Sequence, residues 1–143
     1  MSEVHRGSVH EHLDIRGAVT VSGQALNGAT VRASASLDVK GQLIGGVRVQ
    51  EGARCTVAGQ CDGNVYVEAN AYLDVTGMLL GHLRQNDGAV TVAVGAYVGR
   101  RVVSPDGVLV EPPPGGVTTN ASAQRFEVIG TWPSVALAPL GRH

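Results

Sequence analysis

The most constraining feature of this sequence is an apolar period of six residues that extends through its middle. Four positions after each of these apolar residues, the chain again carries a small or apolar residue. An amphipathic helix repeats about every 3.6 residues, so a period of six predicts short strands joined by corners. The eleven successive positions that define the period are Val19, Ala25, Val31, Leu37, Leu43, Val49, Cys55, Cys61, Val67, Leu73 and Leu79.

Three of these periods combine into a longer repeat of 18 residues. Three sides of six residues form one triangular coil, and residues 19–108 contain five such coils, with residues 13–18 adding a further side. Stacked coils pair their strands in parallel, about 4.8 Å apart. We expect glycines at the corners, where the backbone needs a positive φ. Two glycine columns follow the repeat: Gly23, Gly41, Gly59, Gly77 and Gly95, and Gly45, Gly63, Gly81 and Gly99.

The sequence therefore predicts an all-β fold, a single-stranded triangular β-solenoid of five to six coils. The composition agrees with a narrow core, because aromatic residues make up only 3% of the chain while glycine contributes 20 residues. Three sides that converge on one axis leave room for valine, leucine and alanine but little room for aromatic rings.

The repeat also divides the chain into three parts. We predict a flexible polar N-terminus over residues 1–12, a β-helix domain over 13–110, and a Pro/Gly linker with a C-terminal tail over 111–143. The tail contains the only Phe and the only Trp of the chain, Phe126 and Trp132. The end of a solenoid exposes unpaired strand edges and an open core. The tail is therefore expected to cap the solenoid, to pair with a neighbouring subunit, or to bind a partner as a disordered segment.

One segment of the repeat resembles a known family. The residues LDVKGQLIGGVRVQEGARCTVAGQCDGNVYVEANAYLDVTG, from Leu37 to Gly77, are similar to the bactofilin core, in which V-x-G-x-x-x-G-x-V units recur about once per coil. The resemblance extends over roughly residues 13–104. It implies a right-handed triangular β-helix that polymerises end to end without nucleotide and serves as a bacterial cytoskeletal scaffold. The chain departs from the family in its long tail and in an N-terminus without the apolar membrane-targeting segment of some members.

A second solenoid class competes with this interpretation. The left-handed hexapeptide helix of acyltransferases and gamma-type carbonic anhydrases also places a small residue four positions after an aliphatic one. That class prefers Gly, Ala, Glu or Asp directly after the aliphatic residue, whereas this chain often has other residues there, such as Thr20, Leu26 and Arg32. We therefore favour the right-handed parallel β-helix.

Charge and cysteine content restrict the partners and the compartment. Eleven basic and twelve acidic residues give a net charge of −1, so nucleic acid is not an expected partner. No apolar stretch is long enough for a transmembrane segment, and the N-terminus lacks the apolar region of a secretory signal. The two cysteines, Cys55 and Cys61, then indicate free thiols in a reducing compartment, and we expect a cytoplasmic protein.

The candidate chemical residues do not form a catalytic pattern. His82 is the only histidine inside the repeat, and a zinc site needs several converging ligands. Cys55 and Cys61 occupy inward positions, where a thiol acts as a small buried hydrophobe. Asp38 and Asp74 share an outward column but lie two coils, about 10 Å, apart. We expect no catalytic, cofactor or metal site, and hence a protein that is not an enzyme.

The candidate interaction surface combines a strip on the solenoid with the tail. Arg48, Tyr66 and Arg84 follow one outward column at 18-residue spacing, which predicts a flat strip about 10 Å long. Cation–π packing between coils is the structural alternative for this strip. Phe126 and Trp132 are the corresponding candidates in the tail.

These observations lead to three functional hypotheses. The first is a non-enzymatic scaffold that self-assembles through its coil ends or a lateral face, so that its main partner is itself. The second is a soluble β-helical adaptor or immunity-type protein that binds another protein without polymerising. The third is an enzyme similar to the left-handed hexapeptide acyltransferases.

Overall fold

The fold is a stack of β-strand coils. The computed structural model describes residues 2–5, 7–99, 101–104, 106–111, 125–131 and 135–139. These ranges contain strands and turns but no helix, and so no helix long and apolar enough to cross a membrane. Parallel coils stack at about 18-residue spacing into a β-solenoid of about five turns, which confirms the predicted fold class. The right hand of the helix stays a prediction.

The described strands are short. In chain order they are β1 (Ser2–His5), β2 (Ser8–Val9), β3 (Leu13–Ile15), β4 (Ala18–Val21), β5 (Gln24–Ala25), β6 (Ala29–Val31), β7 (Ser36–Val39), β8 (Gln42–Leu43), β9 (Val47–Val49), β10 (Arg54–Val57), β11 (Gln60–Cys61), β12 (Asn64–Val67), β13 (Tyr72–Val75), β14 (Met78–Leu79), β15 (His82–Asn86), β16 (Ala89–Ala93), β17 (Tyr97–Val98), β18 (Arg101–Val103), β19 (Leu109–Val110), β20 (Arg125–Ile129) and β21 (Ala136–Pro139).

Three sheets form the three sides of the coils. Sheet A contains β1, β4, β7, β10, β13, β16, β20 and β21, sheet B contains β2, β5, β8, β11, β14, β17, β18 and β19, and sheet C contains β3, β6, β9, β12 and β15. In the middle coils each residue pairs with the residue 18 positions away. Cys55, for example, lies between Leu37 and Leu73. The repeat in the sequence is therefore the register of the sheets.

The solenoid begins earlier than expected. The segment 1–12, predicted as a flexible polar terminus, contains β1 and β2, which pair in parallel with β4 and β5. This first coil is shorter than the others, because two residues (16–17) connect β3 to β4 where four (32–35) connect β6 to β7. Its pairs are consequently 16 residues apart, as between Ser2 and Ala18. A spacing of 16 does not fit the period of six, so the period alone does not predict this coil.

The parallel stack also ends earlier than expected. The predicted coils reach residue 108, but β18 and β19 pair antiparallel, β18 with β17 and β19 with β18. Gly99 adopts a φ of 64°, which lets the chain reverse directly after β17. Hairpins need only short loops, whereas another parallel pair would require a whole coil. Strands β18 and β19 therefore cover the end of sheet B and add no sixth coil.

The core is a narrow column of aliphatic side chains. Its largest fully buried residues are leucines and valines. The four leucines among them are Leu37, Leu43, Leu73 and Leu79. Cys55 and Cys61 are fully buried in the same column. Phe126, from the tail, is the one aromatic residue of the described core, with 6% of its surface exposed. This distribution agrees with the exclusion of rings that the composition indicates.

The glycine columns have two different causes. Gly63 has a φ of 102°, as expected for a corner. Gly41 and Gly59 do not have a positive φ, and here the expected reason was wrong. A Cβ atom on Gly59 would instead fall well inside van der Waals contact with the carbonyl oxygen of Gly41 in the coil before it. Close stacking of backbone on backbone therefore requires this glycine.

We expect Gly59→Ala to lower the free energy of unfolding by roughly 2 kcal/mol, because the new methyl group must push two coils apart. Gly17→Ala is the matched control, since a Cβ atom there meets nothing within 4 Å and the φ of Gly17 is not positive. Urea denaturation followed by circular dichroism measures both. Equal effects from the two substitutions would contradict the stacking argument.

Candidate interaction surfaces and coil ends

Each outer face of the solenoid carries a ladder of side chains that bond from coil to coil. On sheet B the amide of Gln24 donates to Gln42, and that of Gln42 to Gln60, both over 2.8 Å. On sheet A the hydroxyl of Thr56 donates to Asp38 over 2.9 Å. In-register stacking places equivalent side chains about 4.8 Å apart, so they become each other's partners. Much of the outer polar surface is thus occupied by intramolecular contacts.

Of the three residues predicted to form a strip on sheet C, Arg48 and Tyr66 lie together. The guanidinium carbon of Arg48 lies 4.4 Å from the ring centroid of Tyr66, and Nη1 of Arg48 lies 3.2 Å from Oε2 of Glu68. Arg84 does not join them. The register of β12 and β15 shifts after Val65, so that Tyr66 faces Gln85.

Arg84 consequently has different neighbours from those expected. Its Nε donates to Oδ1 of Asn64 over 3.1 Å, and its Nη2 lies 3.4 Å from Nδ1 of His82. One extra residue in β15 forms a bulge, which re-aims the side chain at that position. The sequence carried a signal for this shift, because the apolar period fails at Gln85.

A recess beside the strip was not expected from the sequence. It encloses about 280 Å³ and is lined by His12, Thr30, Gly46, Arg48, Asn64 and Tyr66, among others. Nε2 of His12 lies 2.9 Å from the hydroxyl of Thr30, and Nδ1 lies 2.9 Å from the carbonyl of Asn27. His12 contributes to a folded surface because the first coil starts before residue 13. The recess groups imidazole, guanidinium, amide and phenol in one small polar site.

The described part of the tail folds back on the solenoid, which is one of the alternatives that the sequence left open. Strand β20 pairs antiparallel with β16, where Phe126 faces Val92, and β21 pairs antiparallel with β20. Nε of Arg125 lies 3.0 Å from Oδ1 of Asp74, which also accepts a hydrogen bond from Thr91 over 2.7 Å. Phe126 therefore belongs to a cap. Trp132 lies outside the described residues.

The N-terminal end of the solenoid has no such cover. No described strand pairs with the outer edges of β1, β2 or β3. A hollow of about 690 Å³ opens there. Its lining combines apolar and charged or polar residues: Val9, Leu13, Ile15 and Val19 with His10, Glu11, His12, Asp14 and Arg16, among others. Val4, on β1, exposes 48% of its surface. The two ends thus differ: antiparallel strands cover sheets A and B at the C-terminal end, and the described N-terminal end is open.

The two thiols are structural. Cys55 and Cys61 are free and fully buried, as the sequence predicted. Burial raises the pKa of Cys61 from 9.0 to about 12, and it raises the pKa of Cys55 well above its ordinary value, with smaller contributions from Cys61 and Asp38. A nucleophilic thiol needs access and a lowered pKa, and these two have the opposite properties.

The remaining candidates do not assemble into a metal site within the described ranges. His82 is half-buried and contacts Arg84. Asp74 is bound by Thr91 and Arg125, and Asp38 by Thr56. No group of three or more His, Cys, Asp or Glu side chains that could hold a metal ion occurs among the described residues.

Comparison with known proteins adds no relative. No family model matches the chain, and neither the curated proteins nor the solved structures give a match. The structure is compatible with a β-helix family as a class.

We expect Arg125→Gln to loosen the cap by about 1–3 kcal/mol, because it leaves the half-buried Asp74 without its cation. Amide hydrogen exchange of β20 measures this loss. Lys40→Gln is the matched control, since Lys40 lies 4.0 Å from Asp38 on the same sheet and both side chains are largely exposed. A loss of protection in β20 that is equal in the two variants would contradict an anchoring role for Arg125.

The thiols predict an alkaline loss of stability. Between pH 9 and about 12 the unfolded chain ionises Cys61 while the folded chain keeps it protonated. The unfolded state then binds fewer protons, so the free energy of unfolding falls as pH rises, by about 1.4 kcal/mol per pH unit for each thiol. Denaturation at pH 9, 10 and 11 should show this slope.

A variant that lacks both thiols provides the control for this slope. Cys55→Val and Cys61→Ala introduce residues that occupy the same columns in other coils, at Val90 and Ala25. The double variant should remove most of the pH dependence above pH 9. An unchanged slope would show that other groups cause it.

Proposed function

We propose that this chain is a non-enzymatic structural scaffold, similar in kind to the bactofilins, that self-assembles through the open N-terminal end of its solenoid. The observation that carries the proposal is the difference between the two ends. Open edge strands pair readily with another chain, and proteins that avoid this cover or charge them. Here β20 and β21 extend sheet A and β18 and β19 extend sheet B, while nothing described covers β1 to β3.

The chemistry of the N-terminal end supports association with a second copy. Its hollow lies beside the outer edges of β2 and β3 and exposes part of Val9, Leu13 and Val19, with Glu11, Asp14 and Arg16 also in its lining. Two copies that meet through this end around a twofold axis would each cover the other's hollow, because an isologous contact uses the same surface on both partners. Burial of that apolar surface supplies the driving force at about 25 cal/mol per Å².

The C-terminal end, where sheets A and B are covered, sets the size of the assembly. Continuous growth requires contacts at both ends of each copy, whereas one open end closes at a dimer. We therefore propose a dimer for the chain with its cap in place and a longer polymer when the cap is removed. A cytoplasmic location belongs to the same proposal and is supported by the two free, buried thiols.

A second function is favoured by the same cap. A solenoid with an occupied C-terminal end could act as an adaptor that binds another protein by an outer face. The polar recess next to Arg48 and Tyr66 is the surface that supports this candidate. It predicts a chain that stays monomeric at all concentrations.

Sedimentation velocity over a concentration series distinguishes the two functions. We expect a monomer–dimer equilibrium for the chain, weakened at least tenfold by Val4→Lys or Val9→Lys, because a lysine at an open edge opposes pairing. Val108→Lys is the matched control, since Val108 exposes 53% of its surface at the other end. A strictly monomeric chain, or equal effects from all three variants, would refute association through the N-terminal end.

Removal of the cap tests the limit on growth. A chain that ends at Val110 lacks β20 and β21 and leaves β16 unpaired, so we expect filaments in electron micrographs at concentrations where the full chain gives none. Full-length Phe126→Asp, which places a charge in the cap, should have the same effect more weakly. Circular dichroism melting verifies that the solenoid remains folded. Two variants that fold and stay dimeric would exclude a capping role for the tail.

A further inference from the structure

Sheet C ends differently from the other two sheets. Sheets A and B each continue past the last parallel strand through antiparallel strands, whereas sheet C stops at β15 and has five strands against eight. The tail crosses only the far end of β15, where the side-chain amide of Asn86 donates to the carbonyls of Val128 and Gly130 over 2.8 and 3.0 Å. The rest of β15 is a sheet edge without a described partner strand.

The hydrogen-bonding pattern shows which groups this edge presents. Leu13, Ala29, Val47, Val65 and Leu83 form one column through sheet C. In this column the N–H of Leu13 donates to Gly28 and that of Ala29 to Gly46, in each case towards the following coil. Leu83 is in the last coil of sheet C. Its N–H therefore points out of the sheet, and no described residue accepts from it.

An apolar groove lies along this edge. It encloses about 410 Å³ and is lined by Leu83 and its neighbours in the last coil, by Val98 of β17, by Leu109 of β19, and by Val135 before β21. This volume lies within the range of pockets that bind ligands. One wall carries Arg101, which is exposed and forms no ion pair with a described carboxylate.

We propose that the groove and the free edge of β15 bind an extended, acidic and apolar peptide segment of another protein by β-strand addition. The open edge supplies backbone donors and acceptors that only another strand satisfies in full. The groove takes alternate apolar side chains, and Arg101 pairs with an acidic one. Main-chain hydrogen bonds give affinity in this mode of recognition, and the pockets for alternate side chains give specificity.

This site is separate from the proposed self-association. It lies at the opposite end of the solenoid from β1 to β3. Its occupant continues sheet C, whereas the chain's own strands β18 to β21 continue only sheets A and B. An apolar small molecule would fill the groove but would leave the N–H of Leu83 unpaired. A cationic segment would meet Arg101 with like charge.

Fluorescence anisotropy with defined peptides tests the proposal. The probe is a fluorescein-labelled hexapeptide, Thr-Val-Glu-Val-Thr-Val, titrated with the full chain. We expect saturable binding with a Kd below about 1 mM. N-methylation of its internal amides should weaken binding at least tenfold, and replacement of its glutamate by lysine should weaken it several-fold. Absence of binding up to 1 mM, or indifference to N-methylation, would overturn the proposal.

Protein variants locate the site. Arg101→Glu should reverse the preference, so that the lysine peptide binds more tightly than the glutamate peptide. Arg84→Glu is the matched control, because Arg84 is an exposed arginine of β15 outside the groove lining, and it should leave the preference unchanged. If both variants change the preference equally, the charge of Arg101 does not determine which peptide binds, and the proposal fails.

Amide exchange of Leu83 provides an independent measurement. In the free chain this amide should exchange much faster than that of Val65, which has β15 beyond it, and the glutamate peptide should slow it at least tenfold. Val65 should not respond to the peptide. Full protection of Leu83 in the free chain would show that another part of the chain covers the edge, and would refute the proposal.

Discussion

Parallel stacking in register is the constraint on which the rest of this structure depends. Each residue of the middle coils lies directly above and below the residues 18 positions away, about 4.8 Å from each. A side chain therefore meets a side chain of the same column rather than a freely chosen neighbour. Columns of aliphatic residues become a core, a column of glutamines becomes a hydrogen-bonded ladder, and the glycines at Gly41 and Gly59 let one backbone rest on another.

The same stacking makes a column of like charges unfavourable, and the sequence contains no such column on the described strands of sheet A. Like charges directly opposite each other destabilise a sheet. In the outward column of sheet A, aspartate alternates with threonine, in the order Thr20, Asp38, Thr56, Asp74 and Thr91. Each inner carboxylate thus has hydroxyl neighbours, and Asp38 and Asp74 accept hydrogen bonds from the threonines that follow them. The two-coil separation of Asp38 and Asp74 thus keeps two like charges apart.

Periodic features were predictable from the sequence, and single departures from the period were not. The core columns, the buried thiols and the Arg48–Tyr66 stack follow from counting by 18. Thr91 and Gln85 are polar at positions where the period calls for apolar residues, because β16 pairs with β13 at a spacing of 17 and β15 contains a bulge. Counting residues at a fixed spacing shows only that the apolar period fails at these positions. It does not give the new partner of Arg84, which is Asn64.

The ends of the molecule show why these departures matter for function. A perfectly periodic solenoid has no internal reason to stop, so whatever ends it must break the repeat. At the C-terminal end two features break the repeat. The chain reverses at Gly99, so that β18 and β19 cover sheet B. Arg125 contacts Asp74 where β20 and β21 cover sheet A. The two strand pairs, β18–β19 and β20–β21, cover only two of the three sheets. The third sheet keeps an open edge at Leu83, and this asymmetry in the cap, rather than any residue of the repeat, is what makes the C-terminal end a candidate binding site.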